Sequence, residues 1–188
     1  MAGGTAVTAP SSTGVTGSVG QTDKYLTVSL GEARFGIPVS RVKEIIECDA
    51  ITPLPMAPAA VRGTINLRGR VVPVVDLAVR FGLPSMTIGR RTCIVIAEVD
   101  HGDKTRAFDF GLLIDAVNEV VDLAPGDIER APTMNGSIRT DFALGMGKVR
   151  GAFVLLLKIE ALVAVAEIES LTSSLPLPLL DSGGTPHG

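Results

Sequence analysis

A short pattern occurs twice in this chain. Phe35-Gly36-Ile37, followed by Val42 and Glu44, returns 75 residues later as Phe110-Gly111-Leu112, followed by Val117 and Glu119. Arg68-Gly69-Arg70-Val71-Val72 is echoed 82 residues later by Arg150-Gly151-Ala152-Phe153-Val154, and the extra seven residues fall in the loop Ala124–Asp141. Two units with the same order of elements point to two similar sub-barrels, about 22–90 and 91–170. Chance similarity between β-rich segments is the alternative.

Within each unit, short β-type runs alternate with turn signals at close spacing, the pattern of small barrels. The runs Tyr25–Leu30, Arg34–Ile37 and Ile45–Ile51 come first, with Pro38 opening a short helical segment that carries Val42. Pro53-Leu54-Pro55-Met56-Ala57-Pro58 admits neither helix nor ladder and predicts a shaped loop. Thr64–Leu67 and Arg70–Val75 predict a hairpin turning at Arg68-Gly69, and Leu77–Phe81 predicts one or two helical turns stopped by Gly82 and Pro84. Strands follow at Thr92–Val99, Ala107–Ile114, Val117–Leu123, Ala143–Val149 and Ala152–Leu157, then a helix near Ile159–Ser170. Residues 1–21 and 171–188 are rich in small residues and turn formers and read as flexible tails around a body at 22–170.

The composition suits this reading. Trp is absent and aromatics are 4%, so Val, Ile and Leu must fill the core, as in small barrels. A net charge of −3 without a basic cluster or stacking aromatics argues against nucleic acid. The N-terminus lacks the charged and apolar regions of a signal peptide. The most apolar stretch, Ala152–Ala166, is broken by Lys158 and Glu160 and falls short of the roughly 18–20 apolar residues of a membrane span. A cytoplasmic protein is expected, with Cys48 and Cys93 as buried, reduced thiols; sequence alone leaves a disulfide open.

No catalytic constellation emerges. His101 and His187 stand apart from any cysteine or second histidine, so no zinc spacing exists. Gly145-Met146-Gly147-Lys148 lacks the first glycine of a phosphate loop, has Val149 where Ser or Thr would meet magnesium, and leads into a strand. Loop carboxylates such as Asp122 and Asp127 are far commoner than catalytic ones. The chain reads as a non-enzyme with no cofactor and no metal.

The segment Val61–Leu77 has the most unusual texture. Gly63 and Gly69 allow backbone conformations closed to other residues. Pro73 in a valine run implies an edge or bulged strand, because it cannot donate to a ladder. Arg68 points a rigid five-donor fork outward from a turn, a recognition arginine beside an apolar edge or an ordinary solvated one. The run G-T-I-N-L-R-G-R-V-V-P-V-V-D-L (Gly63–Leu77) closely resembles the central motif of CheW-like proteins, the coupling proteins of bacterial chemotaxis. The match extends through Tyr25–Gly31, Phe35–Ile45, Val117–Val121 and Leu144–Val149, and so covers about 22–170.

This resemblance implies a mainly β fold: two packed five-stranded SH3-like β-barrels with short helices and a C-terminal helix. It implies a non-catalytic adaptor that couples methyl-accepting chemoreceptors to the histidine kinase CheA. A groove between the barrels would hold the receptor's cytoplasmic tip, another face the CheA regulatory domain, and the adaptor would be recruited to membrane-associated receptor arrays without entering the membrane. Carried across by motif, the receptor-side residues are Val42, Glu44 and Arg68, and Gly63, Asn66, Gly69, Pro73 and Asp76 form the structural motif. The family's ring-building contact maps to Ile128–Met134, where Glu129, Arg130 and Met134 stand; Glu129 replaces a basic residue and Met134 an aromatic found in some members. The same motifs fit a scaffold of another chemosensory pathway, for example one for surface motility. A small enzyme using loop carboxylates and an oligomer-forming structural barrel fit less of the pattern.

Overall fold

The computed structural model of the protein describes residues 22–100, 107–131 and 140–163. Both expected tails lie outside these residues, as does the expected continuation of the last helix to Ser170. The first two strands follow the alternation, β1 (Asp23–Leu30) and β2 (Ala33–Pro38), whereas β3 spans Val42–Glu47, beginning three residues before the expected Ile45 and ending four before Ile51. Between β2 and β3 the helical segment is a single 3-10 turn, Val39–Arg41, so Val42 opens the strand instead of riding on a helix. Then come β4 (Val61–Leu67), β5 (Arg70–Asp76), α1 (Leu77–Arg80), β6 (Cys93–Asp100), β7 (Ala107–Ile114) and β8 (Ala116–Leu123). The chain continues with β9 (Ile128–Glu129), β10 (Ala143–Val149), β11 (Ala152–Leu157) and α2 (Ile159–Leu162).

The strands form two sheets, with orders β8-β1-β2-β11-β10-β9 and β3-β6-β7-β5-β4. These are the two lobes. The extra member of the six-stranded sheet is the two-residue β9, which the sequence reading leaves in a loop. The repeat is visible in the pairing. Val74 of β5 lies parallel to Gly111 of β7, and Leu156 of β11 lies parallel to Gly36 of β2, the same contact at offsets of 82 and 75. A register shift opposite β3 makes Lys43 an extra residue, and the corresponding shift in β8 does the same to Asn118.

The lobes do not coincide with the sequence units. Strands β1 and β2 of the first unit pair with β8 and β11 of the second, while β6 and β7 of the second pair with β3 and β5 of the first. The division at about residue 90 therefore separates the repeats and not the sheets. Each unit lends its first hairpin to the other's sheet, and only long-range pairing decides that exchange.

The exchange leaves one large shared core. Leu26, Val28, Phe35 and Ile37 of one sheet pack in the same cluster as Ile94, Val95, Phe110 and Leu112 of the other. Phe35 stacks on Phe81, with ring centroids 5.1 Å apart, and Phe81 meets Phe142 at a tilt, 5.8 Å apart. Gly36 and Gly111 are matched close approaches: a Cβ would lie 2.7 Å from Leu156 Cδ2 in one lobe and 2.5 Å from Ile94 Cγ2 in the other. Cys48 and Cys93 are free and half-buried, less enclosed than expected.

Candidate functional site

The Gly63–Leu77 motif forms the β4–β5 hairpin and the start of α1. Arg68 (φ 51°) and Gly69 (φ 82°) are the two central residues of a tight turn with both φ positive, the type I′ geometry that matches strand twist. Glycine meets this at no steric cost, whereas an arginine there costs about 1 kcal/mol. Asn66 steadies the turn, its Oδ1 accepting from the Gly69 amide at 2.8 Å. Gly63 has no room for a side chain, since a Cβ would lie 2.2 Å from the Thr52 carbonyl oxygen. That approach permits the paired Thr52–Thr64 amide–carbonyl bonds, both 2.8 Å, which tie down the proline-rich loop.

Pro73 corrects an expectation. β5 is an interior strand, between β7 and β4. Counting back from the closing pair Leu67↔Arg70, Thr64↔Pro73 is a non-hydrogen-bonded position, so proline withdraws no donor from β4. On the other side the ladder with β7 begins only at Val74. Asp76, 1% exposed, ends the motif as the N-cap of α1. Its carboxylate accepts from the amides of Ala78 (3.0 Å), Val79 (3.3 Å) and Met86 (3.1 Å) and from Ser85 Oγ (2.7 Å), and it meets Arg62 Nη1 at 3.3 Å. Every lone pair of a buried charge is thereby occupied, which is what its burial requires.

Two of the three expected receptor-side residues come together. Arg68 Nη2 meets Glu44 Oε2 at 2.8 Å, although the arginine is 80% exposed. An exposed pair of this kind adds only ~0–1 kcal/mol to folding. Both line a shallow groove of about 280 Å³ with Lys43, Leu67, Arg70, Ile96 and Asp109. Val42 does not line it; its side chain is half-buried against the shared core. The groove belongs to the five-stranded lobe alone, where the resemblance implied one between barrels. Ile45 and Val71, exposed apolar residues next in sequence to Glu44 and Arg70, do not line the groove. Of the expected array contacts, Glu129 is exposed in β9 opposite Met146, Arg130 is exposed beside it, and Met134 lies outside the described residues.

The sequence reading missed a charged row beside the pair. Asp109, almost fully buried on β7, receives Lys43 Nζ at 2.7 Å and Arg70 Nη1 at 2.8 Å. Glu98 stands directly opposite Asp109 across β6–β7 and also contacts Lys43. The two carboxylates, Asp109 foremost, hold the Lys43 ammonium pKa above the ordinary lysine value. Among the described residues no group of three or more His, Cys, Asp or Glu could hold a metal ion, and no helix is long and apolar enough to cross a membrane. What the site offers is an exposed arginine–glutamate pair beside a buried carboxylate and its two cations, along one shallow groove.

Residues 24–167 match the model of the CheW-like domain. The chain belongs to the CheW-like family. It is 33% identical over 147 residues to the chemotaxis protein CheW of Rhizobium meliloti, covering 78% of this chain and 91% of that one. Protein FrzA of Myxococcus xanthus is 27% identical over 128 residues, covering 68% and 76%. Among solved structures, the crystal structure of the scaffolding protein TtCheW from Thermoanaerobacter tengcongensis matches with a TM-score of 0.68 at 31% identity, covering 78% of this chain and 91% of that one. Membership makes the chain a CheW-like scaffold of a chemosensory system, and a non-catalytic one.

Proposed function

We propose that this scaffold couples the cytoplasmic tip of a methyl-accepting chemoreceptor to the regulatory domain of the kinase CheA, working in the cytoplasm at membrane-associated receptor arrays. The observation that carries the proposal is Arg68, an exposed arginine kept in a strained turn and ion-paired to Glu44. The pair stabilises the fold little, so its retention at a position that favours glycine or asparagine speaks for recognition. A receptor tip is a helical hairpin, and a helix seated in a groove is held by apolar anchors and a polar rim. Leu67 supplies apolar surface here, Glu44 and Arg68 the rim, and Val42 supports the β3 end from below. Because the scaffold does no chemistry, its output is geometric: it fixes the kinase relative to the receptor, and signalling follows from different binding in two states of the array. The exposed Glu129 and Arg130 at the sheet edge are the array contact in this reading, matched to a partner other than the basic–aromatic one.

The test is a pair of titrations, receptor tip and kinase regulatory domain, against Arg68→Ala. Receptor affinity is expected to fall and kinase affinity to hold; equal loss for both partners would make Arg68 a structural residue. A second reading, a CheW-like scaffold of a non-flagellar pathway such as surface motility, draws support from the similarity to FrzA. Affinity capture from the native cell, followed by identification of the receptor and kinase recovered, separates the two.

A further inference from the structure

Asp76 and Asp109 are the buried charged residues among those described. The cap of α1 accounts for Asp76, and nothing in the fold accounts for Asp109. Its burial needs the two cations that flank it, Arg70 at 2.8 Å from the neighbouring β5 and Lys43 at 2.7 Å from β3, which lies beyond β6. The register makes the arrangement more demanding, because Glu98 faces Asp109 and two carboxylates so opposed repel unless a cation lies between them. Lys43 is that cation. It arrives through the bulge in β3, which lets Lys43 and Glu44 enter the same groove.

The other lobe shows what this row is not for. Its turn has the same geometry, with Arg150 at φ 48° and Gly151 at φ 83°, and the same ion pair, Arg150 Nη2 to Glu119 Oε2 at 2.8 Å. Yet the equivalents of Lys43, Asp109 and Arg70 are Asn118, Arg34 and Ala152. The position matching Glu98 is Ser29, which exchanges hydrogen bonds with Asn118. The turn and its arginine–glutamate pair therefore form without a buried carboxylate. The carboxylate accompanies the second arginine: where Ala152 replaces Arg70, the acid is gone too.

From this we infer that Asp109 is a positioning residue that holds the Arg70 guanidinium beside Arg68, so that the groove presents two fixed arginines to a carboxylate on the partner's helix. The inference rests on the receptor reading above for the partner and adds the chemistry it must carry, an acidic side chain on the face that enters the groove. Arg70 spends one nitrogen on Asp109 and Arg68 one on Glu44, leaving donors on both guanidinium groups for a bidentate acceptor.

Two measurements test it. In the free protein, the Arg70 Nε–H resonance should be ordered on the nanosecond scale, unlike that of the exposed Arg34, and Asp109→Asn should release it. Equal mobility of Arg70 and Arg34 in the unaltered protein overturns the inference, whether or not Asp109→Asn folds. In receptor titrations, Arg70→Ala should weaken binding about tenfold and Asp109→Asn by somewhat less, both sparing kinase binding. Asp109→Asn combined with Arg70→Ala should bind no worse than Arg70→Ala alone, because Asp109 acts through Arg70. Additive losses, or losses shared by the kinase, would make Asp109 structural. If Arg68→Ala leaves receptor binding intact, the receptor reading fails; if Arg68→Ala weakens it and Arg70→Ala does not, only the two-arginine inference fails.

Discussion

The two lobes carry the same device in different surroundings. Each has a type I′ turn with an arginine in the left-handed region, an arginine–glutamate pair at 2.8 Å and two exposed apolar residues at matching positions: Ile45 and Val71 in one lobe, Val120 and Phe153 in the other. They differ in what lies alongside. The five-stranded lobe has the row Lys43, Glu98, Asp109 and Arg70, whereas the six-stranded lobe has Asn118, Ser29, Arg34 and Ala152 at the matching positions. The turn and its arginine–glutamate pair thus occur in both places and the charged row in one. The pair does not by itself distinguish the lobes, and the row beside Arg68 is what sets the five-stranded one apart.

The largest effect should separate the two helix starts. Asp76 caps α1 with its side chain, while the equivalent Lys158 caps α2 with none. Asp76→Ala should lower stability by about 3 kcal/mol, since it strips a buried network and leaves Arg62 without that partner. Lys158→Ala should change little, and Lys158→Asp should add about 1 kcal/mol by supplying the missing cap. Denaturant melts of the three variants check this; a small loss for Asp76→Ala would show that the network is not what holds α1. A smaller effect tests the turns. Arg68→Asn and Arg150→Asn should each stabilise by about 0.5–1 kcal/mol, because asparagine tolerates the left-handed conformation better. Equal gains in the two lobes would confirm that the strain belongs to the turn and not to the charged row.

The smallest effect is on pH dependence. Lys43 in one lobe is held protonated by Asp109 and Glu98, while burial raises the pKa of Tyr25 in the other lobe and of Cys48 beside the first. All three bind their proton more tightly when folded. Their contribution is complete below each group's ordinary pKa and is lost as pH rises through the folded value, so the protein should lose stability on the alkaline side. Lys43→Met should flatten the part of that loss above the ordinary lysine range. An unchanged alkaline limb would contradict the Asp109 and Glu98 contacts. The half-buried Cys48 should also alkylate slowly at pH 8, which mass spectrometry reads directly.

Much of the fold was legible because alternation and turn chemistry are local. Most strands fell close to their observed places, β3 excepted because the segment after Pro38 was read as helical, and the hairpin at Arg68-Gly69 was readable from the glycine and the flanking runs. The exchange of hairpins between repeats was not, since a repeated pattern is satisfied equally by pairing within a unit or across units. Pro73 pointed to an edge because proline reports a missing donor but not the side on which it is missing. At the site, Glu44 and Arg68 were found through the motif and do meet, while Val42 alternates inward. Asp109 looked like an ordinary polar residue in Phe108-Asp109-Phe110, and nothing local says that a bulge will send Lys43 toward it. The repeat held the clue, because Arg34 occupies the matching position.

The most direct test of the account compares the two arginines in one experiment: receptor-tip titrations of Arg68→Ala and Arg150→Ala, with melting curves for both. The account predicts nearly equal melting temperatures, receptor affinity reduced by about 2 kcal/mol or more for Arg68→Ala as a desolvated interfacial charge is lost, and receptor affinity unchanged for Arg150→Ala. Equal losses of receptor affinity for the two variants, or unfolding of Arg68→Ala, would contradict it.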